Sequence, residues 1–184
     1  MIERSEVARA VERARGGDVA AFEVLFRAFN RPVAGYLRAR DASDPEGLGN
    51  EVFLRVFRHV RTFEGDADDF RAWLFTIAYR VARDDARRRS RRVHTMPATP
   101  SSEPVGGDVE SDVMAQLAHE RVHDLFQRLS PDQRDVLALR IVSDLSVEDT
   151  ATVLGKSYEA VKALQRRGLA ALRRTISLQE GVPR

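Results

Sequence analysis

The sequence predicts an all-α protein of two helical domains, an N-terminal helical bundle and a C-terminal helix-turn-helix bundle, joined by a flexible linker. Three observations predict it. Apolar residues recur at three- and four-residue spacing through both halves, and no strand-like alternation of useful length appears. Helix-start signals stand in front of those stretches: Asp18, Asp44-Pro45, "SPDQ" at 130–133 and "SVED" at 146–149. Between the halves, residues 93–111 read "VHTMPATPSSEPVGGDVES", where Pro97, Pro100, Pro104, Gly106 and Gly107 deny a helix. The expected organisation is a bundle over 1–92, an acidic linker over 93–111, a helix-turn-helix domain over 112–176 and a short tail over 177–184.

In chain order, Asp18 is placed to cap a helix carrying Phe22, Leu25, Phe26 and Phe29 at helical spacing. Asp44 precedes a proline at the first helical position and opens a helix with Leu48, Val52, Leu54 and Val56, and with Phe53 and Phe57 four apart. Gly47 and Gly49 in its first turns weaken it by about 1 kcal/mol each relative to alanine, which predicts a late or malleable start. "FEGDADD" breaks that helix, and "FRAWLFTIAYRVARDDARRRSRR" (70–92) follows. On a helical wheel Phe70, Trp73, Leu74, Ile77 and Val81 form a core stripe. Phe75 and Tyr79 fall roughly opposite, beside a row of Arg80, Arg83 and Arg87. Two readings of that second side follow: the rings stack on unpaired bases while the arginines hold phosphates, or the rings pack against a further helix. A membrane-surface reading needs a free apolar stripe, and this stripe is required by the bundle.

After the linker, Met114, Leu117, Ala118, Leu125 and Leu129 share a face. In "LSVEDTATVLGKSYEAVKALQRRGLAALRR" (145–174), Ser146 caps a short helix, Gly155 supplies a tight turn and Ser157 caps the next helix, which together make a helix-turn-helix. On the second helix Val161, Leu164, Gly168 and Leu172 face one way and Glu159, Lys162, Ala163, Arg166 and Arg167 the other. That second face is small or polar where it would enter a major groove and basic where it would pass phosphates. Glu159 suits a cytosine amine; Lys162 and Arg166 suit guanine.

Composition bounds the function classes. The 30 basic and 28 acidic residues give a net charge of only +2, so charge is informative locally rather than globally. All basic residues except Lys156 and Lys162 are arginines, the side chain suited to bidentate phosphate contacts. The chain has no cysteine, which removes disulfides, thiolate metal sites and thiol catalysis. No apolar run approaches the roughly 20 residues of a membrane span, and the charged start is no signal peptide, so a soluble cytoplasmic protein without membrane insertion is expected. "HERVH" (119–123) fits the zinc-protease pattern H-E-x-x-H, yet a third ligand is wanting: no glutamate lies between Val122 and Val147, and the other histidines are His59 and His94. Neither catalysis, nor a metal, nor a cofactor is expected.

Taken together, the motifs resemble the ECF (extracytoplasmic function) group of bacterial sigma factors, from about residue 17 to 174 apart from the linker. "NEVFLRVFRHV" (50–60) resembles the family's Q-E-x-F-x-x-x-[WF] helix, "FRAWLFTIAYRVARDDARRRSRR" its F-x-x-W-L-x-x-I-A-x-N helix, and "LSPDQRDVLALR" through "KALQRR" its fourth conserved region. The resemblance implies a non-enzymatic initiation factor with core RNA polymerase and promoter DNA as partners, and an anti-sigma factor as a further one. It implies polymerase contacts at Asp44, Glu46, Asn50, Glu51, Leu54 and Arg55. Contacts to the melted −10 element would come from the loop residues Phe63, Glu64, Gly65 and Asp66 and from Tyr79, Arg80, Arg83 and Arg87. Contacts to the −35 duplex would come from Ser157, Tyr158, Glu159, Lys162, Ala163, Arg166 and Arg167. The acidic linker would thread a channel built for RNA. The family's glutamine is here Asn50 and its asparagine is Arg80, where a phosphate contact is more natural than base reading. An ordinary helix-turn-helix regulator with a sensing or dimerising N-terminal bundle is the alternative reading.

Overall fold

The computed structural model describes residues 4–93 and 121–179. All regular elements among them are helical: α1 (Arg4–Arg15), α2 (Val19–Ala39), α3 (Pro45–His59) with a 3-10 turn at Val60–Thr62, α4 (Ala67–Val93), α5 over 121–127, α6 (Pro131–Leu137) continuing into a π turn at Ala138–Val142, α7 (Val147–Leu154) and α8 (Tyr158–Gln179). Residues 94–111 of the expected linker, Met114, Leu117, Ala118, His119 and the last residues of the tail lie outside the described residues. Val93, expected in the linker, still closes α4.

The starts of these helices are side-chain caps. Asp18 Oδ1 accepts from the amides of Ala20 and Ala21 at 2.9 and 3.2 Å, and the Arg13 guanidinium bonded to its other oxygen holds its carboxyl below the usual range. Ser130 and Ser146 each close a reciprocal capping box, with Gln133 and Asp149. The late start allowed for α3 is not what the structure has: the helix begins at Pro45, and Asp44 Oδ1 accepts from the Gly47 amide at 2.9 Å. A Cβ on Gly47 would stand 2.1 Å from the Asp44 carboxylate. The missing side chain is thus what lets the cap close, an effect local to the turn that propensity alone misses.

In the N-terminal module, α1 buries Val7, Ala10, Val11 and Ala14 against α2, which supplies Leu25, Phe29, Val33 and Leu37 to the core. The core face of α3 is Val52, Phe53 and Val56, and that of α4 includes Phe70, Leu74 and Val81, with Trp73 and Ile77 at its margin. In the C-terminal module, α6 and α7 both pack on α8. A Cβ on Gly168 would come within 2.9 Å of Leu137, so that glycine sets the close approach of α8 to α6.

The two modules do not stand apart. α7 packs across α4, and the π turn packs against α2, so that one continuous core runs through both. A Cβ on Gly35 of α2 would lie 2.9 Å from Val142. At the junction the Arg40 guanidinium meets the Asp135 carboxylate, with 12% and 8% of the two side chains exposed.

Candidate polymerase and nucleic-acid interfaces

The face of α8 is the simplest to build. Ser157 Oγ accepts from the Ala160 amide at 3.2 Å and starts the helix. Gly155 before it has φ 61° and ψ 36°, the left-handed conformation that reverses the chain within a short turn. Val161 and Leu164 are buried, which fixes the rotation of the helix. Ser157, Tyr158, Glu159, Lys162, Arg166 and Arg167 are consequently exposed together, with Ala163 half-buried between them. The Lys162 ammonium lies 5.1 Å from the Tyr158 ring, a cation–π contact that restrains both. Away from this face Lys156 pairs with Asp132 at 3.2 Å, and the Arg140 guanidinium donates to the Leu145 carbonyl and, at 3.3 Å, to Gln165. The structure therefore brings the whole predicted −35 set onto one accessible surface.

The second side of α4 is arranged otherwise. Phe75 is fully buried, edge-on to Tyr36 at 5.8 Å, so the packing alternative holds for this ring. Tyr79 is half-buried between the guanidinium groups of Arg40 (6.0 Å) and Arg83 (5.9 Å). Arg80, Arg83 and Arg87 are exposed. Two of the loop residues have partners within the fold. Phe63 turns inward, 6% exposed, against Phe70 and Trp73 at 5.5 and 5.1 Å. Asp66 Oδ1 is taken up in capping α4, accepting from Asp68 and Asp69 at 2.8 and 3.0 Å. Glu64 and Gly65 are exposed, and Gly65 has φ 135°, where a side chain would be strained.

On α3, Glu51 pairs with Arg55 at 2.8 Å, Glu46 approaches Arg38 at 3.6 Å, and Asn50 and Leu54 are exposed. The structure adds a feature that the sequence reading did not assign. Phe57, 49% exposed, lies edge-on to Phe22 at 5.0 Å, and Phe26 to Phe53 at 4.7 Å. Together with Leu54 and Asn50 they line an open groove of about 310 Å³. The signal was present as the 22/26 and 53/57 spacings, but spacing does not say which helix faces remain uncovered.

A buried charge cluster sits where the modules meet. Burial pushes the Asp135 carboxyl up to about 6 against the opposing pull of Arg40. Burial, and next the Asp135 charge, push the Tyr36 phenol well above its ordinary value. Tyr36 Oη and Arg40 Nε find no hydrogen-bond partner among the described residues. Arg134 ties the end of α5 to α6 by donating to the Phe126 and Gln127 carbonyls at 3.0 and 3.1 Å. His123, from the decoy motif, lies 3.3 Å from the Gln127 amide and 3.8 Å from Asp41. No group of three or more metal-binding side chains occurs among the described residues, nor does any helix there have the length and apolarity to cross a membrane.

Comparison with known proteins matches both modules. Residues 25–92 match the Sigma-70 region 2 family and residues 119–172 the family described as Sigma-70, region 4. The chain is 34% identical over 169 residues to the ECF RNA polymerase sigma factor BldN of Streptomyces coelicolor, covering 90% of this chain but 64% of that protein's length. It is 30% identical over 164 residues to the ECF RNA polymerase sigma factor SigX of Bacillus subtilis, covering 85% and 84% of the two chains. Among solved structures, CnrH in complex with the cytosolic domain of CnrY has the same fold, with a TM-score of 0.71 at 23% identity over 94% of this chain and 98% of that one.

Proposed function

The chain belongs to the ECF RNA polymerase sigma factors, and from that premise we propose that it is an alternative sigma factor that binds core polymerase, directs it to promoters and assists their opening. It carries out no reaction itself and works in the cytoplasm, where its polymerase and DNA are. We assign the boundaries 1–92, 93–111, 112–176 and 177–184 to the core- and −10-binding module, the linker, the −35 module and the tail, with the α4 helix overrunning the first boundary by one residue.

The observation that carries the proposal is the single accessible face on α8, held by two capped helices around Gly155. A basic, groove-sized face on a fixed helix is what duplex reading requires. Glu159, Lys162 and Arg166 would read base edges from it, and Arg167 would contact phosphate. On α3, Glu46, Asn50, Glu51, Leu54 and Arg55 would meet polymerase, with Asp44 acting as the cap that sets the first turn. Phe22, Phe26 and Phe57 join that surface, since an apolar groove rimmed by charged residues is built to be covered by a protein. An anti-sigma factor would compete for the same surface. Tyr79, Arg80, Arg83 and Arg87, with Glu64 and Gly65, would meet the melted −10 strand, whose bases stack on aromatic rings and whose phosphates pair with arginine.

The test is reconstitution with purified bacterial core polymerase. The chain is expected to bind core and to support initiation from promoters that core alone ignores. Sequence-specific binding to duplex DNA by the chain alone, with no association with core and no initiation, is the outcome that would instead make it an ordinary helix-turn-helix regulator.

A further inference from the structure

We propose that Tyr158 is a positioning residue for base reading: its ring holds the Lys162 ammonium away from Glu159, so that a donor and an acceptor reach adjacent base pairs instead of neutralising each other. The proposal rests on α8 facing duplex DNA, which the sigma-factor reading and the ordinary regulator reading share.

Two groups compete for this lysine. At roughly 100° per residue, Lys162 lies about 40° from Tyr158 and about 60° from Glu159 around α8. It is four residues from the first and three from the second, so it can reach either. The structure has its ammonium on the ring, 5.1 Å from the centroid. Neither Lys162 nor Glu159 forms an ion pair with a described residue. All three side chains are exposed, Tyr158 by 41%. Helical side chains lean toward the N-terminus, which brings the lysine back over a ring one turn earlier. An exposed cation–π contact is worth more than an exposed ion pair at helical spacing, so the ring wins.

The outcome matters for reading. A carboxylate accepts and an ammonium donates: Glu159 matches the cytosine N4 amine, and Lys162 matches guanine O6 and N7. Three residues advance a helix by about 4.5 Å, close to the roughly 3.4 Å step of the duplex, so the two side chains address adjacent base pairs. Bonded to each other they would spend their hydrogen bonds internally and leave both bases unread. Over the ring, the ammonium keeps its charge and leaves the Glu159 carboxylate free. The ring also restrains a flexible four-carbon stem before DNA arrives, which lowers the entropy lost on binding.

Two measurements test this. In the free protein, the ring current of Tyr158 should move the Lys162 ε-methylene proton resonances upfield. The shift should persist in Tyr158→Phe and vanish in Tyr158→Leu. A random-sequence duplex pool is then offered to the full chain, with core polymerase and without it, and the selected duplex is compared with its single-base-pair variants. Failure of the sigma reading has its own sign, selection that needs no core, and the comparison is then made on the chain alone. Wild type should discriminate by about tenfold at each of two adjacent base pairs. Glu159→Ala should flatten one and Lys162→Ala the other. Tyr158→Leu should flatten both, while binding to unselected duplex and its salt dependence stay as in wild type; Tyr158→Phe should keep both. In Tyr158→Leu/Lys162→Ala, discrimination at the Glu159 base pair should return, because no ammonium is left to occupy the carboxylate. A loss of fold would not be rescued in this way. Unshifted lysine protons in wild type, Tyr158→Phe behaving as Tyr158→Leu does, a double variant that regains nothing, or a chain that selects no duplex at all would each overturn the proposal.

Discussion

α4 and α8 are both basic helices with a side proposed to face nucleic acid, and the structure prepares those sides in opposite ways. On α8 the predicted residues are exposed together on a helix fixed by Val161, Leu164 and the Gly168 approach. On α4 one predicted ring is half-buried under Arg40 and its neighbour Phe75 is sealed in the core. The difference fits the two substrates. A duplex groove is a fixed shape that a rigid surface can meet directly, whereas an unpaired strand exists only after melting, so its binding surface is needed late.

The contrast can be broken at its foundation first. Phe75→Ala should cost about 3–5 kcal/mol of stability, since a fully buried ring leaves a cavity beside Tyr36, seen as an earlier urea midpoint. Lys162→Ala should instead leave stability near wild type and weaken −35 duplex binding by about 1–3 kcal/mol with core affinity retained; equal loss of both would mean that the face is wrongly assigned. Tyr79→Ala should slow opening of duplex promoters by up to about 1–3 kcal/mol of lost stacking while sparing pre-melted templates, and an unchanged rate on duplex would remove Tyr79 from the strand-facing set.

Acid should sharpen the comparison in a smaller way. Asp135, whose ordinary value is 3.8, is raised to about 6 by burial in the folded protein, so the folded form binds its proton more tightly than the unfolded one. The stability contributed by this group is therefore fully present below about 4 and is lost as pH rises through about 6. Between pH 7 and pH 5 the gain is on the order of 1 kcal/mol, read as a later urea midpoint at the lower pH. The groups around it are Arg40 and Tyr36 from α2, Asp132 and Arg134 from its own helix, and Lys156 beyond α7. Asp135→Asn should abolish this dependence. Smallest of all, Ser157→Ala should cost about 1 kcal/mol by uncapping α8, followed by the thermal midpoint.

Where the sequence was legible, the physics was local. The caps at Asp18, Asp44, Ser130, Ser146 and Ser157 and the turn at Gly155 depend on residues within a few positions, and each stands where the pattern placed it. The α8 face was legible for the same reason, a single helix with one apolar side. The second side of α4 was not, because what covers Phe75 and Tyr79 comes from elements far along the chain, and periodicity cannot see a partner. The inward turn of Phe63 was likewise illegible, because its ring completes the Phe70–Trp73 cluster from outside that helix. The Phe22–Phe57 groove was missed in the opposite sense: aromatic residues at helical spacing read as core, and only the three-dimensional arrangement shows that no described element covers them.

The most direct measurement is permanganate reactivity of promoter thymines in a complex of core polymerase with this chain. Both surfaces working as assigned predict protection of the −35 duplex together with reactive, unpaired thymines around −10, the latter lost in Tyr79→Ala and the former in Lys162→Ala. Duplex protection that needs no polymerase, with no reactive thymines in its presence, would contradict the account.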